Sequence, residues 1–435
     1  MLRIKRVKLC AALAAVMTLS GCSLFSSAEG LLAPPMLSEE QSRVYEALTD
    51  AVGSVNLIFP KNGENRSAYI FSDLDGDGSD EAAVFYRRPD GGESVIRLNI
   101  LDIENGEWRS VYDTAGTGVS VDCALVRQIG GSGRTYIAAG YNLMTAGDKV
   151  LEIYSYENGV TERVYSDSYS SFMVTDLTSD GNYELINING NSENQSAYAA
   201  MMTEDENGAL YEASKVRLSS ACIGFESITE GRIAENTAAV FIDEINGNGS
   251  VSTEIIYSVD GNLRNPAEVE GSTVLADTKR QSGYSCADAD GDGITEIPVT
   301  EVCPGYENET EKLLLTNWCV FDNYSIKRKY TGWYNKAQSW VMMFPGRWEG
   351  LITMKIDSAS GAAVFCRYNE NINSSPELMR ILAVSAADSE AYYAEGWQLI
   401  EQIGDACYMV RLADDSGESL VLTLTEVRNN FYVIE

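Results

Sequence analysis

A mostly β fold, a β-propeller of repeated four-stranded blades, is what this 435-residue sequence predicts, and three observations lead there. A loop rich in acids and glycine recurs with starts at residues 73, 128, 176, 229 and 288. Each loop is followed 30 to 34 residues later by a hairpin turn of Asn-Gly type or a relative of it. The segments between alternate apolar and polar side chains without a long helical period, which is the pattern of half-buried strands. Unit lengths of 48 to 59 residues fit a four-stranded antiparallel blade, and stacking such units side by side lets each bury both faces. Five repeats are visible over residues 65–330, and a small α+β domain is expected after them.

The N-terminus reads as an address. Arg3, Lys5, Arg6 and Lys8 precede a short apolar run from Leu9 to Leu19, too short to span a bilayer, and the run ends in Leu19-Ser20-Gly21-Cys22. This resembles a bacterial lipoprotein signal, with residues 1–21 as signal peptide and Cys22 as the lipid attachment site. The resemblance implies a protein anchored by its acyl chains (palmitate-type lipid) to the outer face of the bacterial cell membrane. Residues 22–36, ending in Pro34-Pro35, suit a tether. Ser38 then caps a helix whose first turn holds Glu39, Glu40 and Gln41 and whose apolar face holds Val44, Leu48 and Val52, with Gly53 ending it. With this helix as a cap, residues 37–335 are assigned to the propeller.

Three of the five loops keep their acids. Asp73, Asp75, Asp77, Ser79 through its main chain, and Glu81 stand at positions 1, 3, 5, 7 and 9 of the first. Asp288, Asp290, Asp292, Ile294 and Glu296 repeat that order in the fifth, and Asp176, Thr178, Asp180, Asn182 and Glu184 in the third, where a hydroxyl replaces one carboxylate. Carboxylates at alternate positions of a tight loop, with glycine at position 6 for the turn, suit a hard cation that takes six to eight oxygens. The loops at 128–136 and 229–237 keep the frame without the acids, so no metal is expected there. Glu244 to Ser250 imitates the motif outside the repeat register and reads as a hairpin turn.

These units resemble FG-GAP or VCBS repeats, the calcium-loop blades of integrin α-subunit propellers and of many bacterial surface proteins, over roughly residues 65–330. The layout as a whole is similar to VCBS-repeat lipoproteins of Gram-positive anaerobes. The resemblance implies two to three structural Ca²⁺ ions and little about purpose.

Residues 336–435 contain strand-like runs at 339–344, 351–356, 361–366, 378–384 and 407–412, and a helix is expected near 416–430. Trp333, Trp340, Trp348 and Trp397 are read as packing residues. Cysteines 123, 222, 286, 303, 319, 366 and 407 lie in apolar runs without C-x-x-C spacing and are read as buried thiols.

Composition narrows function. There is no histidine, which removes Ser-His-Asp and Cys-His catalysis and every His-ligated metal. A formal charge of -32, falling to -36 once the four basic residues of the signal are lost, excludes nucleic acid as a natural partner. Nucleotide-loop and serine-hydrolase signatures are missing. The expected function is a non-enzymatic binding module for a protein or glycan, the alternative being a surface glycan-processing enzyme that uses a carboxylate pair.

Overall fold

The computed structural model describes residues 37–435 apart from 90–94, 158, 192–195, 415–418 and 435. The lipobox with Cys22, the tether, and Asn158 of the second hairpin turn lie outside the described residues. The described chain is mostly β and divides near Gly116 into two compact units, apart from two short loop segments of the first that group with the second.

The first unit opens with the helix Glu39–Val52. Ser38 Oγ accepts from the Gln41 N–H at 3.0 Å while Gln41 Oε1 accepts from the Ser38 N–H at 3.0 Å, a reciprocal cap. Val44 and Leu48 are fully buried and pack with Tyr69, Val84, Leu101 and Trp108 of the first sheet. That sheet runs in chain order through Tyr69–Ser72, Glu81–Arg87, Arg97–Glu104 and Glu107–Ala115, with the short strand Asn56–Leu57 also on Glu81–Arg87.

Among the described residues the second unit holds five more sheets. The second consists of Ser120–Gln128, Thr135–Asn142, Lys149–Glu157 and Val160–Ser168, and the third of Ser171–Thr175, Glu184–Asn189, Tyr198–Glu204 and Leu210–Arg217. The fourth consists of Cys222–Ala234, Thr237–Asn246, Val251–Val259 and Asn262–Arg264. Each is an antiparallel meander in chain order. Successive sheets share apolar cores: Ile153 with Leu185, Ile188 with Val240, Phe241 with Ile297, and Trp333 with Phe365.

In the first and third sheets the acid-bearing loop joins the first and second strands and the expected hairpin turn joins the third and fourth; in the fifth the loop, closed by the Ala287–Glu296 bridge, precedes Ile297–Val302, and the turn joins Leu314–Asp322 to Ser325–Asn335. Asn105-Gly106 and Asp260-Gly261 take positive φ at both residues, the twist that a two-residue hairpin needs. In the fifth sheet the two residues with positive φ are Asn323 and Tyr324, one step beyond the expected Asp322-Asn323, because Asp322 pairs with Ser325. In the fourth sheet the strand runs on to Ala234 and turns through only two residues to Thr237, so the loop expected over 229–237 is mostly strand.

The fifth sheet crosses residue 336. Its strands Ile297–Val302, Leu314–Asp322 and Ser325–Asn335 are extended by Trp340–Met343 and then by Phe431–Val433 from the chain end. The sixth sheet orders Ile352–Ile356, Ala363–Arg367, Glu377–Ser385, Ala406–Leu412 and Gln398–Ile403, the last of these not foreseen. The final helix is shorter than expected, Leu424–Asn429, capped by Thr423. All four tryptophans named above are buried, and Trp348 Nε1 donates to the Leu420 carbonyl at 2.7 Å. The seven described cysteines are free thiols, six of them buried and Cys123 partly so.

Candidate metal centre

The three acidic loops are built alike. In each, the residue before the first aspartate pairs with the closing glutamate: Ser72 with Glu81, Thr175 with Glu184, and Ala287 with Glu296. The first aspartate folds back over the loop, its Oδ2 accepting from the N–H of the position-6 glycine at 3.1 Å (Asp73, Gly78), 3.0 Å (Asp176, Gly181) and 2.8 Å (Asp288, Gly293). Those glycines have φ between 86° and 91°, a conformation a side chain would resist. The closing glutamates are 0%, 3% and 0% exposed, so each loop sets one buried carboxylate beneath a more exposed acidic tip.

Two of the loops gather ligands. Asp73, Asp75 and Glu81 each offer a carboxylate oxygen within 4.8 Å of the others, and so do Asp288, Asp290 and Glu296. Two oxygens bound to one Ca²⁺ at about 2.4 Å are at most about 4.8 Å apart, so either group can hold one metal ion. Asp77 and Asp292, expected at position 5, fall outside the groups. At position 7, the Ile294 and Asn182 N–H groups donate to Asp292 and Asp180 at 2.9 and 2.8 Å, and Ser79 holds the corresponding place in the first loop.

The third loop does not gather its acids in this way. Thr178 Oγ1 donates to Glu184 Oε1 at 3.0 Å, while the N–H groups of Leu177 and Thr178 donate to Oε2 at 2.9 and 3.2 Å. Burial raises the Glu184 pKa, and these same hydrogen bonds oppose the rise. The hydroxyl that replaced a carboxylate thus bonds the closing acid directly. In the second loop a glutamate arrives from the next sheet instead: Glu204 accepts from the Ser132 N–H at 2.9 Å, from Ser132 Oγ at 2.7 Å and from the Tyr136 hydroxyl at 2.8 Å.

The fifth loop contains a feature that the motif did not announce. Lys329 Nζ lies 2.6 Å from Asp290 Oδ2, 2.7 Å from Asp292 Oδ2 and 2.9 Å from Glu296 Oε1. Its side chain is 26% exposed. Burial works against the ammonium charge, yet the bonds to Asp290, Asp292 and Glu296 outweigh it and raise the lysine pKa above its ordinary value. Burial pushes the Glu296 carboxyl up to about 7, against the pull of the Ala289 N–H and of Lys329. Burial acts upward on Asp292 as well, but Lys329 and the Ile294 N–H hold it below the ordinary range.

The third and fifth loops flank an open polar cleft of about 840 Å³ above the tight hairpin of the fourth sheet. Asp176, Tyr183, Glu230, Arg232, Asn236 and Asp288 line it, and Tyr183 is half exposed. Thr175 Oγ1 donates to Glu230 at 2.6 Å, fixing one wall.

No protein-family profile matches the chain, and no curated protein matches it. Among solved structures it is similar to rhamnogalacturonan lyase YesW, at 12% identity over 74% of this chain and 76% of that one, with a TM-score of 0.31. A rhamnogalacturonan lyase of Bacillus licheniformis gives 11% identity, the same coverages and a TM-score of 0.31. The exotype lyase YesX gives 11% identity over 70% and 61% of the two chains, with a TM-score of 0.27. Likenesses of this size bear on neither activity nor substrate.

Proposed function

We propose that this chain is a lipid-anchored extracytoplasmic protein whose calcium-loop sheets form a β-propeller acting as a non-enzymatic binding module. The observation that carries the metal part is the meeting of Asp73, Asp75 and Glu81 oxygens within 4.8 Å. Oxygen-only donors on a tight loop favour Ca²⁺, with the Ser79 carbonyl and waters completing the shell. The ion is structural in this reading: it neutralises carboxylates that repel one another across a hairpin. Antiparallel meanders that repeat in register and share cores with their neighbours support the propeller. The lipobox at Cys22 supports the anchor.

The partner, a protein or a glycan, is read into the cleft beside the third and fifth loops. Its mix of carboxylates, Arg232, Asn236 and an exposed tyrosine suits hydroxyl groups and a sugar face, which favours the glycan. The alternative, a glycan-processing enzyme, needs an accessible carboxylate pair. Glu244 and Glu254, adjacent on one sheet, are each only 1% exposed and do not supply one, whereas Asp176, Glu230 and Asp288 line the open cleft, so a turnover assay separates binding from catalysis. Calorimetric titration of the metal-stripped mature chain with CaCl₂ tests the metal, and a glycan array with Tyr183→Ala and Arg232→Ala variants tests the cleft. No calcium uptake sinks the first claim. Glycan turnover by the purified protein, lost on replacing a carboxylate outside the loops, replaces the binding module with the enzyme.

A further inference from the structure

We infer that Lys329 is the resident cation of the fifth loop, so that this loop is complete without a metal. The inference rests on the reading that loops of this frame are built around a cation. Three observations carry it. The ammonium has three donors, and all three are directed at carboxylates of the one loop, at 2.6, 2.7 and 2.9 Å. Two of those carboxylates, Asp290 and Glu296, belong to the oxygen group that could hold an ion, so the lysine and a metal compete for the same oxygens.

The third observation is how the lysine gets there. In the fifth sheet Trp318 pairs with Tyr330 and Cys319 with Arg328, leaving Lys329 as the extra residue of a β-bulge. The first sheet has the same irregularity: Ile100 pairs with Tyr112 and Leu101 with Ser110, and the extra residue is Val111. The second sheet places Val164 there, between the partners of Ile153 and Tyr154, and the third places Ala213, between those of Met201 and Met202. Counted from the closing position of the loop, Ala82, Ile137, Leu185 and Ile297 all pair with the residue at which the bulge occurs. One structural position therefore recurs in four units and is small and apolar in three. Only in the fifth does it bring a charge, and there the loop beneath it is fully acidic.

The test is calcium stoichiometry and affinity, by calorimetry and equilibrium dialysis on the mature full chain, for the wild type, Lys329→Met, Lys329→Arg and Asp290→Asn. Lys329→Met is expected to bind one more Ca²⁺ per chain than the wild type and to lose more melting temperature in EGTA. Lys329→Arg keeps a cation and is expected to bind as the wild type does, and Asp290→Asn is expected to leave the wild-type count unchanged. Lys329→Met recovered folded only in millimolar calcium also supports the inference, since the metal then replaces the ammonium. A Lys329→Met protein with the wild-type ion count overturns it, as does loss of an ion in Asp290→Asn. Failure of the broader calcium reading looks different: the wild type then binds nothing that Asp75→Asn removes, whatever Lys329→Met does.

Discussion

The loops 73–81 and 288–296 have the same four carboxylates at the same positions, the same glycine at position 6 and the same buried closing glutamate, yet they differ in what answers their charge. The fifth receives Lys329 from a bulge in its own sheet, whereas the matching bulge of the first supplies Val111. Four carboxylates in a hairpin repel one another, and the repulsion must be met by protonation, by an ammonium or by a metal. The third loop shows yet another answer, a threonine hydroxyl bonded to the closing acid. An acidic motif thus states a demand for donors or cations, and the surrounding sheet decides how the demand is met.

The largest effect should come from withdrawing the ion from the first loop. At a free calcium a hundredfold above its Kd, binding stabilises the folded state by about 2.7 kcal/mol, so EGTA or Glu81→Gln should lower the melting temperature by several degrees, measured by calorimetry. A melting temperature indifferent to chelator would remove the contrast between the two loops. The reciprocal exchange is Val111→Lys, which places an ammonium at the matching bulge of the first sheet. This variant should lose most of its response to EGTA while melting close to the calcium-loaded wild type.

A smaller effect concerns a pair of buried acids. Glu244 and Glu254 are both buried, and burial followed by repulsion from Glu254 pushes the Glu244 carboxyl up to about 8. Glu254 is raised as well, chiefly by burial, although the Ser219 N–H and the Asn265 side chain hold it. A raised carboxyl means that the folded state binds more protons than the unfolded chain. The stability the pair contributes is complete below about 4.5, the ordinary glutamate value, and is lost as pH rises toward 8. Denaturant unfolding between pH 5 and 8 should show this decline, and Glu244→Gln should flatten it; an unchanged slope would show that another group is responsible. The smallest expected effect is Thr178→Val, which removes one hydrogen bond to Glu184 and should cost about 1 kcal/mol without altering the calcium count.

Much of this was readable from local pattern. The Ser38 cap, Val44 and Leu48 appear where the 3.6-residue period puts them, and the strands after each loop begin within a residue or two of expectation. Asn105-Gly106 and Asp260-Gly261 turn as expected, because two successive residues with positive φ restrict the choice of side chain strongly enough to be seen in one dimension. Other features depend on pairing between distant segments. Strand Phe431–Val433 joins Trp340–Met343 across nearly ninety residues of chain, so the fifth sheet continues past the boundary drawn at residue 336. The Glu244–Glu254 pair follows from a register in which Ile242, not Glu244, pairs with Glu254.

The sequence by itself determined the acidic loops, their frame and the oxygen chemistry they invite, because ligands at alternate positions of nine contiguous residues are set by local backbone geometry. Only the tertiary structure decided that the fifth of those loops meets a lysine. That choice depends on a β-bulge 33 residues beyond Glu296, where the loss of regular pairing brings Lys329 to Asp290, Asp292 and Glu296, and no local pattern encodes such an approach.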